Sequence, residues 1–356
     1  MTTTEPGLVG SPLPLDALAS VPKSDAPQKP KDYTSDQEVR WCPGCGDYVI
    51  LATIRALLPK LGLKRENITF ISGIGCSSRF PYYLETYGMH SIHGRAPAIA
   101  TGLATARPDQ SVWVVTGDGD AMSIGGNHLI HTLRRNVNLN ILMFNNRIYG
   151  LTKGQYSPTS EPGKVTKSSP MGSLDHPFNP LSLVLGAQAS FVARALDSDR
   201  KGLTEVLEAA ARHRGTSFVE ILQDCPIFND GSFALLGKED AGAHLIAVRH
   251  GEKIIFGDDG QHCVVRSGFS LKVAATAEVD EADIIVHDAH AEDPSYAHAL
   301  ANLSSQDLEY TVTGIIRQVH RETYDDQARA QVAAAKETAP ADLQSLLDGS
   351  NTWTVG

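Results

Sequence analysis

Apolar runs and helical periods alternate along the chain from Gly46 to about residue 225. DYVILATIRALL (47–58) predicts a helix, and NITFISGIG (67–75) predicts a strand that ends in glycines. SIHGRAPAIATGLATA (91–106) holds a helix of small residues. SVWVVTGDG (111–119) is an apolar strand running into a Gly-Asp-Gly turn, and AMSIGGNHLIHTLRR (121–135) is the helix after it. LNILMFNN (139–146) is a strand closed by two asparagines. GLTEVLEAAARH (202–213) and TSFVEILQDC (216–225) repeat the order helix, strand. Strands that are near-continuous apolar runs, separated by helices, predict a doubly wound, mostly parallel sheet. Ligands of such sheets lie beyond the carboxyl ends of the strands. GIGCSS, TGDGDAM and FNNRIYG all fall there, and Cys225 closes a strand.

The pattern is weak at both ends. Residues 1–35 are rich in Pro, Ser, Thr and Lys, which predicts a flexible arm. The α/β domain is expected over 36–230. Residues 231–356 form an expected C-terminal extension making subunit contacts. In it CVVRSGF and ADIIVHD suggest short strands and DDQARAQVAAAKE an exposed helix.

Composition narrows the function classes. The chain has 356 residues, enough for one large domain with additions, and 42% are apolar, enough for a sizeable core. A net charge of −10 argues against nucleic-acid binding. No apolar run is long enough for a membrane span. The start, MTTTEPGLVGSPLPLD, matches neither a signal nor a transit peptide, so a cytoplasmic protein is expected. Five cysteines make a poor disulfide framework and suggest metal binding or catalysis.

Gly117-Asp118-Gly119 could be only a tight strand-to-helix turn. A dinucleotide fingerprint is excluded, because Met122 stands where its third glycine belongs. About two dozen residues later come Asn145-Asn146. One helix and one strand lie between, so the chain returns to the same sheet edge and Asp118 can meet Asn146. A carboxylate, an amide oxygen and a free backbone carbonyl suit Mg²⁺ when a phosphate supplies further oxygens. The helix start near Asp120 offers N–H groups to that phosphate.

Cys42 and Cys45 are two apart in WCPGCG. A thioredoxin-type pair needs an apolar strand before it, whereas DYTSDQEVR is polar. A zinc ribbon needs a second close pair, and Cys76 and Cys225 stand singly. Both nevertheless fall at the predicted ligand edge. Four thiolates could converge there around a 4Fe–4S cluster or a structural zinc. Cys263 has no companion and reads as a small buried residue.

The GDG–NN spacing resembles the diphosphate-binding motif of thiamine diphosphate enzymes. The wider string WCPGCG, GIGCSSR, HGRA, TGDGDA, NNRIYGLTKGQYSPT and DCP resembles the thiamine-binding β subunit of 2-oxoacid:ferredoxin oxidoreductases, from about Arg40 to Phe228. The resemblance implies Mg²⁺ on Asp118, Asn146 and the carbonyl of Ile148. It implies cluster ligation by Cys42, Cys45, Cys76 and Cys225. Ile74, Gly75, Cys76, Ser77, Gly119, Asp120, Gly150 and Leu151 would border thiamine diphosphate, and His93 would approach it. Lys153 resembles the family's substrate-contacting lysine. Alone, His93 could equally cap a helix and Lys153 could be a solvated loop charge.

The implied reaction is the oxidative decarboxylation of a 2-oxoacid with coenzyme A, electrons passing through the cluster to ferredoxin. One sheet is expected over roughly residues 40–230, and the weakly patterned stretch after it is not expected to hold a second, pyrimidine-binding domain. A partner α subunit is therefore expected to supply it in an α2β2 or similar hetero-oligomer, and this chain alone to be inactive. The preferred substrate is 2-oxoglutarate, yielding succinyl-CoA, with pyruvate the alternative. Readings of another class are a non-oxidative thiamine enzyme subunit with structural zinc and a non-catalytic metal-carrying module.

Overall fold

The computed structural model describes residues 16–237, 241–338, 341–353 and 355. Eight strands form one sheet: β1 (Ile68–Ser72), β2 (Tyr87–His90), β3 (Ser111–Gly117), β4 (Leu139–Asn145), β5 (Phe191–Leu196), β6 (Thr216–Leu222), β7 (Leu245–Val248) and β8 (Thr311–Gln318). Their order is β2-β1-β3-β4-β6-β5-β8-β7. β1 to β6 are parallel. β8 runs antiparallel to β5 and carries β7 parallel to itself on the outer edge. The expected doubly wound, mostly parallel sheet is the fold observed.

The sheet separates two cores, and strand alternation assigns each residue to one of them. In β3, Val112 and Val114 face one core with α2 (Ala96–Ala106) and α4 (Gly126–Arg135). Trp113 and Val115 face the other, with α1 (Asp47–Leu61) and α5 (Arg200–Arg212). Both faces are covered, which is why the strand sequences are apolar without polar alternation. Helix α1 stops at Gly62, whose left-handed φ of 65° lets its N–H return to the Pro59 carbonyl.

Four sequence expectations change. The helix expected over 121–135 is two pieces, α3 (Asp118–Met122) and α4, because the chain turns at Ser123–Gly125. Residues 16–35 are no free arm: Leu18, Val21 and Tyr33 are buried in the α1 core, and single bridges tie Asp16 to His213 and Thr34 to Leu84. The remainder of that expected arm, residues 1–15, lies outside the described residues. The boundary at 230 runs through the main sheet, since 231–356 contributes β7 and β8. CVVRSGF forms a strand of a separate three-stranded sheet, whereas ADIIVHD makes only isolated bridges. The helix expected at DDQARAQVAAAKE is α6 (Tyr324–Thr338). Among the described residues no helix is long and apolar enough to cross a membrane.

Candidate active site

The ends of β1, β3, β4 and β6 deliver the motif residues to one side of the sheet. Two adjoining cavities result. The first is a cleft lined by Ile74, Gly75, Cys76, Ser77, His93, Asp118, Gly119, Asp120, Asn146, Ile148, Gly150 and Leu151. The second, of about 240 Å³, is lined by Cys42, Cys45, Cys76, Cys225 and Lys153, with Arg40 and Arg79. Cys76, Asn146, Gly150 and Leu151 line both.

Asp118 starts α3 and is buried. The hydroxyls of Ser157 and Thr159 donate to the same carboxylate oxygen, Oδ2, at 2.5 and 2.6 Å. Oδ1 has no side-chain donor among the described residues. Burial pushes this carboxyl above its ordinary value despite those bonds. A cation at Oδ1 would reverse that penalty. The paired asparagines divide their work. Asn146 lines the cleft. Asn145 is turned into the protein, where its Nδ2 donates to Glu220 at 2.7 Å and its Oδ1 meets the Thr159 hydroxyl at 2.9 Å. Glu220 is in turn paired with the buried Arg194 at 2.7 Å.

Asp120 has a different position from its neighbour. Its Oδ1 accepts from the backbone N–H groups of Ile74 (3.2 Å) and Gly94 (2.9 Å) and contacts His93 Nδ1 (2.8 Å). Its Oδ2 accepts from the Thr116 hydroxyl at 2.9 Å. The carboxylate therefore ties the loops after β1 and β2 to the start of α3. Only its backbone remains for a diphosphate. The same bonds orient the His93 ring, and Nε2 has no protein partner among the described residues. Gly119 packs under the Tyr149 ring, which lies 2.2 Å from where a Cβ would stand, and Tyr149 Oη donates to the Gly119 carbonyl.

The second cavity forms around a bend at Gly44, whose φ is 83°. The Cys45 N–H donates to the Cys42 carbonyl, and the Trp41 indole N–H holds the carbonyl of Cys76 at 2.7 Å. A Cβ on Gly150 would stand 3.5 Å from Cys76 Sγ and 3.7 Å from Cys225 Sγ, so glycine leaves the space between these sulfurs open. All five cysteines are free thiols. Burial, with the nearby Asp47 charge, pushes the Cys76 thiol up to about 11 and Cys45 higher still, and burial raises Cys225 as well. Thiols held this way are poor disulfide-exchange nucleophiles. Among the described residues no three His, Cys, Asp or Glu side chains close tightly enough to hold one metal ion. Four cysteine side chains line this one cavity, and that donor set suits an iron–sulfur group.

The thiamine pyrophosphate enzyme, C-terminal TPP binding domain, family matches residues 73–221. The 2-oxoglutarate oxidoreductase subunit KorB of Mycobacterium tuberculosis is 72% identical over 355 residues, covering 99% of this chain and 94% of that one. The chain belongs to the 2-oxoacid:ferredoxin oxidoreductase β subunits. An Archaeoglobus fulgidus 2-oxoglutarate synthase subunit KorB is 44% identical over 187 residues, 52% of this chain and 69% of its own. A solved structure, the 2-oxoglutarate:ferredoxin oxidoreductase from Magnetococcus marinus with 2-oxoglutarate, coenzyme A and succinyl-CoA bound, superposes with a TM-score of 0.72 at 33% identity. It covers 91% of this chain and 97% of that one.

In this 2-oxoacid:ferredoxin oxidoreductase β subunit the motif residues line the two adjoining cavities, with two departures from the sequence reading. Lys153, at a φ of 76°, lines the cysteine cavity and not the cleft. Asp47 and Gln223 also line the cleft and were not singled out from sequence. Asp47 is buried, its Oδ1 has no partner among the described residues, and burial raises its carboxyl to about 7. Its place directly after the CPGCG turn was the available signal. Ser157 and Thr159 lie at the end of the string NNRIYGLTKGQYSPT, but nothing local marks them as partners of Asp118.

Proposed function

We propose that this β subunit, joined to an α subunit, catalyses the oxidative decarboxylation of 2-oxoglutarate with coenzyme A to succinyl-CoA and CO₂, and passes the electrons through a 4Fe–4S cluster to ferredoxin. One observation carries the proposal: the cleft of Asp118, Asn146 and Ile148 and the cavity of four cysteines share a wall, formed by Cys76, Asn146, Gly150 and Leu151. A decarboxylation site and an electron acceptor need this proximity. Thiamine diphosphate, when bound, supplies the electron sink for decarboxylation.

The chain's own residues prepare the site. Asp118 through Oδ1, the Asn146 side chain and the Ile148 carbonyl hold Mg²⁺ against the diphosphate. The N–H groups at the start of α3 and at Gly119 and Asp120 face its negative charge. Ile74, Gly75, Ser77, Gly150 and Leu151 border the cofactor, and His93 directs Nε2 toward it. Cys42, Cys45, Cys76 and Cys225 hold the cluster. Lys153 lines the adjoining cysteine cavity and would meet the distal carboxylate of a substrate that extends there from the cleft. The choice of 2-oxoglutarate is supported by the names of the Mycobacterium tuberculosis and Archaeoglobus fulgidus relatives and by the ligands of the Magnetococcus marinus enzyme.

Anaerobic co-purification with the α subunit tests the proposal. The complex should reduce ferredoxin only when 2-oxoglutarate and coenzyme A are both present, and should contain about four iron and four sulfide per β chain, one cube. Preference for pyruvate, or one zinc without sulfide, would overturn it. Lys153→Ala should raise the KM for 2-oxoglutarate far more than for 2-oxobutyrate. Equal losses would remove Lys153 from substrate choice.

A further inference from the structure

Gln223 directly follows β6 and is 1% exposed. It lines the cleft, yet its amide reaches the neighbouring cavity, with Nε2 lying 3.3 Å from Cys45 Sγ. The same nitrogen donates to the carbonyl of Asp224. Both neighbours are acceptors, and a primary amide has two hydrogens, one for each. This fixes the orientation of the amide, with the nitrogen toward sulfur and carbonyl. The approach depends on Gly46, because a Cβ there would stand 2.9 Å from Gln223 Cγ and 1.8 Å from Asp197 Oδ2. The glycine that ends CPGCG thus opens the space through which a residue from β6 reaches the second cysteine of that motif.

We propose that Gln223 is a positioning residue that sets the reduction potential of the cluster through an N–H···S hydrogen bond to Cys45. The proposal rests on the reading of the four cysteines as cluster ligands. Reduction adds negative charge that is spread over the sulfurs. A donor aimed at one sulfur stabilises the reduced form more than the oxidised form and raises the potential. Because Gln223 also lines the cleft, the bond would link the proposed decarboxylation site to a ligand of the cluster. It strengthens the pull on electrons leaving that site.

The test uses the anaerobically purified complex with its α subunit, carrying Gln223→Met or Gln223→Glu. Methionine keeps length and burial without a donor. Glutamate keeps shape and replaces the donor with an acceptor. Iron and sulfide are counted first, and the midpoint potential is then read by EPR-monitored redox titration. Both variants should retain their iron and shift to more negative potential, Gln223→Glu by at least as much as Gln223→Met. Whichever variant fills its cluster decides the matter. An unchanged or more positive potential in a filled variant overturns the tuning role and leaves the cluster reading intact. A wild-type complex lacking iron and sulfide would instead overturn the cluster reading and the proposal with it.

Discussion

At the scale of single residues, the site works by committing one atom of a side chain and leaving another free. Asp118 is legible from the GDG turn only together with the asparagine pair about two dozen residues on, because Gly-Asp-Gly alone could be a simple strand-to-helix turn. Its supporting hydroxyls are not legible. Ser157 and Thr159 lie about 40 residues away and reach Asp118 only after the loop folds back. They occupy Oδ2, and in the proposed site Oδ1 is the oxygen that would meet Mg²⁺. Removing the support of a metal ligand typically costs 10- to 100-fold in metal affinity, as an order of magnitude. Thr159→Val should therefore raise the Mg²⁺ concentration needed for half-maximal thiamine diphosphate binding by about 10- to 100-fold. Binding should recover at saturating Mg²⁺. Cofactor fluorescence quenching across a Mg²⁺ titration measures this, and an unshifted midpoint would assign Thr159 to folding alone. Asp120 shows the opposite limit of sequence reading. Its place in the motif suggests contact with the diphosphate, and its carboxylate is hydrogen-bonded to Ile74, Gly94, His93 and Thr116, partners that nothing in the local sequence marks.

At the scale of elements, strands were more legible than the turns between them. A strand buried on both faces has an unbroken apolar signature, and β1, β3, β4 and β6 all carry it. The break between α3 and α4 is harder to see, because helical period continues through AMSIGGNHLI while the cause lies elsewhere. Gly94, in the loop after β2, packs against Gly125. A Cβ on Gly94 would stand 2.5 Å from the Gly125 backbone, and its φ is 67°. That contact holds the HGR loop against the end of α3, beside the Asp120 bonds. Gly94→Ala should destabilise the chain by about 1–3 kcal/mol, the usual range for overpacking, and strain at positive φ adds to it. Gly102→Ala is the matched control. It lies within α2 with nothing within 4 Å of its Cβ position, and should stabilise by roughly 0.5–1 kcal/mol. Denaturant midpoints of the two variants compare them directly. A harmless Gly94→Ala would show that the loop can move away from α3 without loss.

At the scale of the whole molecule, the C-terminal third was the least legible part. β8 pairs antiparallel with β5 and carries a bulge between Ile315 and Arg317, so it lacks the signature of the parallel strands. The last residues close the molecule through contacts very distant in sequence. Asn136, left-handed at the end of α4, donates from Nδ2 to the Arg321 carbonyl, and its Oδ1 accepts from Ser190 and from the Thr216 N–H. Ser190 contacts His213 Nε2 at 2.8 Å. Since the Ser190 proton goes to Asn136, the imidazole must donate, which fixes it as the neutral Nε2–H tautomer.

This buried imidazole makes the stability of the molecule depend on acid. Burial, followed by the charge of His320, lowers His213 from 6.5 to about 4. The unfolded chain therefore binds this proton more readily than the folded one. The stabilising contribution is complete above pH 6.5 and is lost as pH falls through 6.5 toward 4. At about 1.4 kcal/mol per pKa unit the loss is on the order of 3 kcal/mol. Carboxylates titrate across the lower part of this window too, so wild type alone cannot isolate the histidine. His213→Gln keeps an N–H donor for Ser190 and removes the titration. Denaturant unfolding of both proteins at several pH values from 7 to 4 gives the difference. The variant should lose less stability on acidification than wild type, and its deficit at pH 7 should shrink or reverse by pH 4.5. Parallel curves over the whole range would mean that His213 takes up its proton within the fold, and that the Asn136–Ser190–His213 chain accommodates charge.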